Sequence, residues 1–386
     1  MKEILLISKR EIQLLCKKPI YALTMIVLPI IVALFFTTVM ADGQPQEMPV
    51  GVVDLDNTST TRSIISRLDA FQTSHVVAHY PSVADARRAM QHDEIYAFLY
   101  LPKGTTEGML SQRQPHVSFY YSSTSLTAGS LLFRDLKTIT TLGGAAVGQA
   151  TMRAKGLTDG QIQSFLQPIT VDVHTIGNPW VNYNVYLSTM LIPGCMLLFI
   201  MLLTAYSLGM ELKHGTSEEL LKVAGGNILK ALIGKMIPQF CIFFLVMMLH
   251  MTYLFSYLNF PHPGGYVEIT LLAAVAVLAA QGFGICSFAL FPNVRMAMSI
   301  CSLWGVLSFS MVGAAYPAFA MDKPLEALSW LFPLRHYFMI YAGNIFNGQA
   351  LDSTYIHWAI LIILACAPML MLRKIHKVYT TYTYIR

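Results

Sequence analysis

The sequence predicts an α-helical integral membrane protein with six transmembrane helices and an extracytoplasmic α/β domain inserted between the first and second of them. Three observations predict it. Hydrophobic residues make up 55% of the 386 residues and charged ones only 12%, about half the share usual in soluble domains. The apolar residues are gathered into six runs, each near the roughly 20 residues that cross a bilayer core as a helix. A polar stretch, 41–185, separates the first run from the other five and alternates strand-like and helix-like writing.

The chain starts with an amphipathic arm, residues 1–19. On a helical wheel Ile4, Leu5, Ile7, Ile12, Leu14, Leu15 and Cys16 share one face, with Lys2, Lys9, Arg10, Gln13 and Lys17 opposite. Glu11 and Leu6 break the pattern. Such a helix lies in the membrane interface with its cations toward headgroups, as a topology anchor or as an elbow with a mechanical role. The first run, 20–40, is longer than the roughly 7–15 apolar residues of a cleaved signal core. It reads as a retained span.

Within 41–185, "PVGVVDL", "HVVAHY", "IYAFLYLP" and "HVSFYY" read as strands, and "STTRSIISRLDAF" and "VADARRAMQHD" as helices. The pattern turns helical from Thr124 to about Lys155, and "TVDVHTI" returns as a strand. This alternation predicts a mixed sheet with helices. Asp54, Asp56 and Asn57 carry calcium-type oxygens, but Asx and Ser/Thr capping of the next helix explains them better.

The later runs are approximately Tyr186–Leu208, Ile237–Leu258, Ile269–Phe291, Met296–Phe319 and Tyr355–Leu372, within 186–372, and a tail follows at 373–386. Lysine and arginine cluster in the arm, in the loop after the second run, at Arg295 and in the tail, whereas "NFPHPGGY" has neither. The bias toward retained cations places both termini and that loop in the cytoplasm. Pro193-Gly194 and Pro238 are candidate bends along a pathway. Methionines such as Met196 and Met247 suit either a pliable path or ordinary packing.

The loop reads "GMELKHGTSEELLKVAGGN", 209–227, and five of its first fourteen residues are charged. Gly215 suits the left-handed end of the preceding helix. Thr216-x-x-Glu219 reads as a capping box opening a short helix. That helix carries Leu220, Leu221 and Val223 beside Glu218, Glu219 and Lys222. Exposed apolar side chains on a charged cytoplasmic helix are a candidate partner contact; lying flat on lipid is the alternative.

Catalytic chemistry is hard to find. All six cysteines sit in or beside apolar runs, with no C-x-x-C or Cys/His cluster. The nearest phosphate-loop mimic, "GGAAVGQAT" from Gly143, puts Gln149 where a lysine belongs. Apart from His250, the central stretches of the runs lack ionisable groups, which disfavours an ion-driven carrier.

"MELKHGTSEELLKV…ILKALIGKMIP" resembles the ABC-2 type transporter permeases. Glu211, Gly215, Thr216, Glu219, Leu220, Leu221 and the Gly234–Lys235 pair fall on their pattern. "VGVVDLDNTSTTRSI" looks like the start of the extracytoplasmic domain in the bacterial drug-exporter-like branch. "LFPLRHYFMIYAGNIFNG" is similar to the proline-arginine segment entering the last span, with Ala342 and Asn347 where basic residues are usual. The resemblance implies a permease subunit in the bacterial inner membrane that moves a hydrophobic or amphiphilic substrate. It implies no cofactor in this chain, with ATP and Mg in a separate cytoplasmic ABC ATPase, and no nucleic acid. Glu211, Gly215, Thr216, Glu218, Glu219, Leu220 and Leu221 would couple the two subunits. A second permease copy or paralogue completes the pore; membrane lipid, a periplasmic adaptor and an outer-membrane channel are further candidate partners. The rival reading is a membrane-anchored scaffold with an outer binding domain.

Overall fold

The computed structural model describes all residues except 112, 114, 170, 173, 175, 176 and 382–386. Its contacts divide the chain into two compact units, Asp42–His174 and the remainder. The strand expected at 170–176 falls largely on residues outside those described.

The unit Asp42–His174 holds a four-stranded sheet in the order β2-β1-β3-β4. Strands β1 (Met48–Asp54), β2 (Ser74–His79) and β3 (Ala97–Leu101) are parallel, and β4 (Ser118–Tyr121) runs antiparallel at the β3 edge. Parallel neighbours need crossovers, and the helices Ser59–Asp69 and Val83–Gln91 supply them. Helices cover both faces, so β1 is almost continuously buried rather than alternating. One core joins Val50 and Val52 to Ile64, Leu68 and the long helix Leu126–Ala154 through Leu132 and Leu136. The other joins Val53 and Phe98 to Ala86 and Ala89.

The second unit contains six helices long and apolar enough to cross a membrane among the described residues: Pro19–Val39, Asn184–Lys213, Ile228–Tyr257, Tyr266–Leu290, Val294–Met311 and Tyr355–Thr381. Three depart from the lengths read in the sequence. The third starts at Ile228, not near Ile237, because Asn227 caps it: its Oδ1 accepts from the backbone N–H of Leu229 at 2.9 Å and of Lys230 at 3.3 Å. The fifth ends at Met311 rather than Phe319, before Gly313 turns left-handed at φ 95° and Pro317 follows. The sixth runs on to Thr381, so Arg373, Lys374 and Lys377 ride on a helix rather than in a loose tail. Pro193 and Pro238 lie inside helices that continue through them.

Before the sixth span, a short helix Pro333–Ile340 and the π turn Tyr341–Phe346 are packed inward. The amphipathic arm, Lys2–Lys17, is one helix.

Candidate functional site

The site is assembled where the arm, the second span, the loop helix Ser217–Val223 and the third span converge. Gly215 ends the second span at φ 71°. Its N–H reaches the Leu212 carbonyl at 3.2 Å, while the N–H of Thr216 reaches that of Glu211 at 2.9 Å. This paired closure is a Schellman turn, and glycine is there because a left-handed residue without Cβ costs little.

The capping box is not formed. Thr216 is the N-cap residue, but its backbone sits at φ −91°, ψ 1° and its side chain makes no cap bond. The hydroxyl instead donates to a carboxylate oxygen of Glu211. A buried carboxylate gains more from that donor than a helix end does, because an unpaired buried charge costs several kcal/mol.

Glu211 is the hub. Arg10 of the arm grips both its oxygens, Nη1 to Oε1 and Nη2 to Oε2, each at 2.8 Å. This two-pronged, charge-assisted geometry suits guanidinium and carboxylate, and the hydrogen bond to Glu211 holds the Arg10 pKa above its ordinary value. Lys235 of the third span donates to Glu211 at 2.9 Å and to Glu11 at 2.5 Å. Glu11 also accepts from Gln239 at 2.8 Å and Ser207 at 3.2 Å. Lys235, Glu11 and Glu211 are 2%, 1% and 4% exposed. Two cations face two anions, so the cluster is neutral. A small recess of about 80 Å3 opens beside it, lined by Arg10, Tyr21, Glu211 and Lys235.

These contacts overturn several expectations. Glu11, which breaks the amphipathic pattern of the arm, lies on the stripe Ile7–Glu11–Leu15 that faces the protein; Leu5, Leu6 and Ile12 point outward. Lys235, which precedes the third run as read from Ile237, is a buried bridge inside the third span. Leu220 and Leu221 are buried at 1% and 5% exposure, so neither is an exposed partner contact. They belong to the core that also holds Ile7, Ile228 and Tyr379. Glu218, Glu219 and Lys222 are exposed. The loop helix is further tied to the sixth span, where Ser217 Oγ donates to the Tyr379 carbonyl at 3.2 Å.

The lysine that the mimic at Gly143 lacked is not the only obstacle there, since the stretch lies inside the continuous helix Leu126–Ala154. The carboxylate of Asp54 accepts from the N–H of Asp56 and Asn57, and that of Asp56 from Gly104 and Thr106; both are occupied with capping. Among the described residues no group of three or more His, Cys, Asp or Glu is placed to hold a metal. All six cysteines are free thiols. His250 is buried.

Sequence reasoning passed over one polar cluster. His336 Nε2 lies 2.8 Å from the Trp330 carbonyl and its Nδ1 2.9 Å from Nδ1 of His357. Arg335 lies over the Trp330 ring at 5.7 Å. The "PLRH" stretch signalled these residues, but no periodicity brings His357 to them.

Six long apolar helices, with a buried ion cluster where the arm meets the second and third of them, define a multi-pass helical membrane protein. The family model described as ABC-2 family transporter protein matches residues 20–372, and the chain belongs to that family: it is the membrane subunit of an ABC transporter. Membership implies an ATP-binding partner subunit. Comparison with curated proteins finds none that matches.

Proposed function

We propose that the chain is the permease of an exporter in the bacterial inner membrane, both termini cytoplasmic, and that a separate ATPase drives it through the loop helix. The observation that carries this reading is the Glu211 cluster. It fastens the arm, the second span, the turn before the loop helix and the third span into one block through charge-assisted hydrogen bonds. Force applied to the loop helix then moves spanning helices rather than a slack loop. The docking face is the exposed Glu218, Glu219 and Lys222, while Leu220 and Leu221 anchor the helix from beneath.

The cation bias of the arm, the loop and the end of the sixth span favours the cytoplasmic side for all three. That orientation puts the α/β unit outside. A second copy or a paralogue is favoured by the first, fifth and sixth spans, which bury only 22%, 28% and 17% of their most apolar windows against 67% for the second. The substrate is a hydrophobic or amphiphilic compound. A cavity of about 280 Å3 lined by Tyr186, Phe338, Tyr341 and Phe346, with Asn178 and Asn347, suits such a molecule.

The test is charge reversal on the docking face. Glu218→Lys with Glu219→Lys should leave thermal unfolding unchanged and abolish co-purification of the ATPase and substrate-stimulated hydrolysis. Retained binding and stimulation in that variant would refute the docking face. Leu220→Asp with Leu221→Asp serves as the contrast: buried carboxylates there should unfold the loop helix rather than uncouple an intact protein.

A further inference from the structure

We infer that the unit of six spans binds an anionic phospholipid in a groove between the third, fourth and sixth spans. Two adjoining recesses carry the inference. The first is an apolar groove of about 250 Å3 lined by Leu232, Met236, Leu278, Ile285, Ala365 and Met369. Its polar lining side chain, Gln281, is buried and spends its amide nitrogen on the Met236 carbonyl at 3.3 Å. The second is a more open cleft of about 480 Å3 lined by Gly225, Gly226, Asn227, Leu372, Arg373 and His376. Leu372 lines both, and Ile228 of the cleft precedes Leu229 of the groove.

An oily slot that opens at one end onto a guanidinium and an imidazole is the shape of an acyl chain joined to a phosphate. Arg373 is exposed and makes no ion pair or hydrogen bond with another described side chain. The acid that approaches the cleft, Glu3 near Gly225, is already held by Lys230 at 2.5 Å, and that contact keeps its pKa below the usual carboxylate range. No Asp or Glu follows Asp352 in the chain, while Lys374 and Lys377 flank Arg373 and His376. Among the described residues the Arg373 charge is thus unpaired, and it sits toward the end of a spanning helix, where basic pockets meet anionic headgroups. Neither half alone selects this ligand. A free phosphate would ignore the groove, and a zwitterionic lipid would gain little from Arg373.

The full chain, purified in detergent and depleted of lipid, is titrated with phosphatidylglycerol, with phosphatidylcholine of the same acyl chains, and with inorganic phosphate, reading thermal unfolding. Phosphatidylglycerol should raise the midpoint by several degrees more than phosphatidylcholine, and phosphate should not move it. Arg373→Gln with His376→Gln should weaken the phosphatidylglycerol response at least five-fold, to the phosphatidylcholine level. Ile285→Trp, which fills the groove, should diminish both lipid responses. Equal responses to the two lipids, a phosphate response matching that of phosphatidylglycerol, or an undiminished preference in the double variant would overturn the inference. A photoactivatable phosphatidylglycerol on the unmodified protein gives an independent reading: labelling at 225–236 and 365–376 supports the site, and labelling confined to other residues refutes it.

Discussion

Lys235 is a cation that hydropathy alone would place in water, yet two carboxylates and the surrounding helices enclose it. Its partners set its stability: removing one side of a buried pair leaves the other charge without compensation, at about 3–5 kcal/mol. Lys235→Met should therefore destabilise the protein strongly, since Glu11 loses its cation while Glu211 keeps Arg10. Combining it with Glu11→Gln removes the stranded charge, and the double variant should recover a large part of the loss. Such non-additivity is expected of groups in one network. Thermal or chemical unfolding of the four proteins in the cycle measures it, and strict additivity would show that Glu11 and Lys235 do not act as a pair.

At the scale of elements, the arm helix is held against the third span by shape as much as by charge. A Cβ at Gly234 would lie 2.8 Å from Ile7 Cβ, and Ser8 Oγ donates to the Gly234 carbonyl at 2.8 Å. Gly234→Val should push the arm off its seat at a cost of about 1–3 kcal/mol, as overpacking does, and should speed tryptic cleavage after Lys9 or Arg10. Unchanged cleavage would mean that the arm tolerates the added volume. This docking also marks how far the sequence could be read. The six long helices were legible because about 20 apolar residues in a row have few other uses. The strands of the α/β unit were legible from β-branched runs in β1 and β2 and aromatic-rich runs in β3 and β4, set between helix-like segments. Which apolar face meets protein and which meets lipid was not legible, because lipid tails are as apolar as leucine. Hence Leu220 and Leu221 read as exposed contacts and Glu11 as an irregularity. Thr216 misled for a related reason: its local motif offers a cap, but Glu211 competes for the same hydroxyl through a turn that closes only in the fold.

Across the whole molecule, the segment between the fifth and sixth spans adds a pH-sensitive contribution to stability. Burial lowers the His336 pKa to about 4; the bond to Trp330 partly opposes this, and His357 and Arg335 reinforce it. The unfolded chain takes up a proton near the ordinary value of about 6.5, whereas the folded one resists until about 4. Stability from this group is thus present above about 6.5 and is lost as pH falls toward 4, by roughly 3 kcal/mol. Unfolding midpoints between pH 7 and 4 should fall less steeply in His336→Gln than in the unmodified protein; parallel slopes would remove His336 as a cause. The bond between Glu11 and Lys235 carries a consequence of timing. Its two ends are 224 residues apart, and ribosomes add roughly 5–20 residues per second. For tens of seconds Glu11 is already made while its cation is not. A carboxylate without a counter-charge stays in water, so the arm docks only after the whole α/β unit and the second span have been made. A helix made early thus settles late.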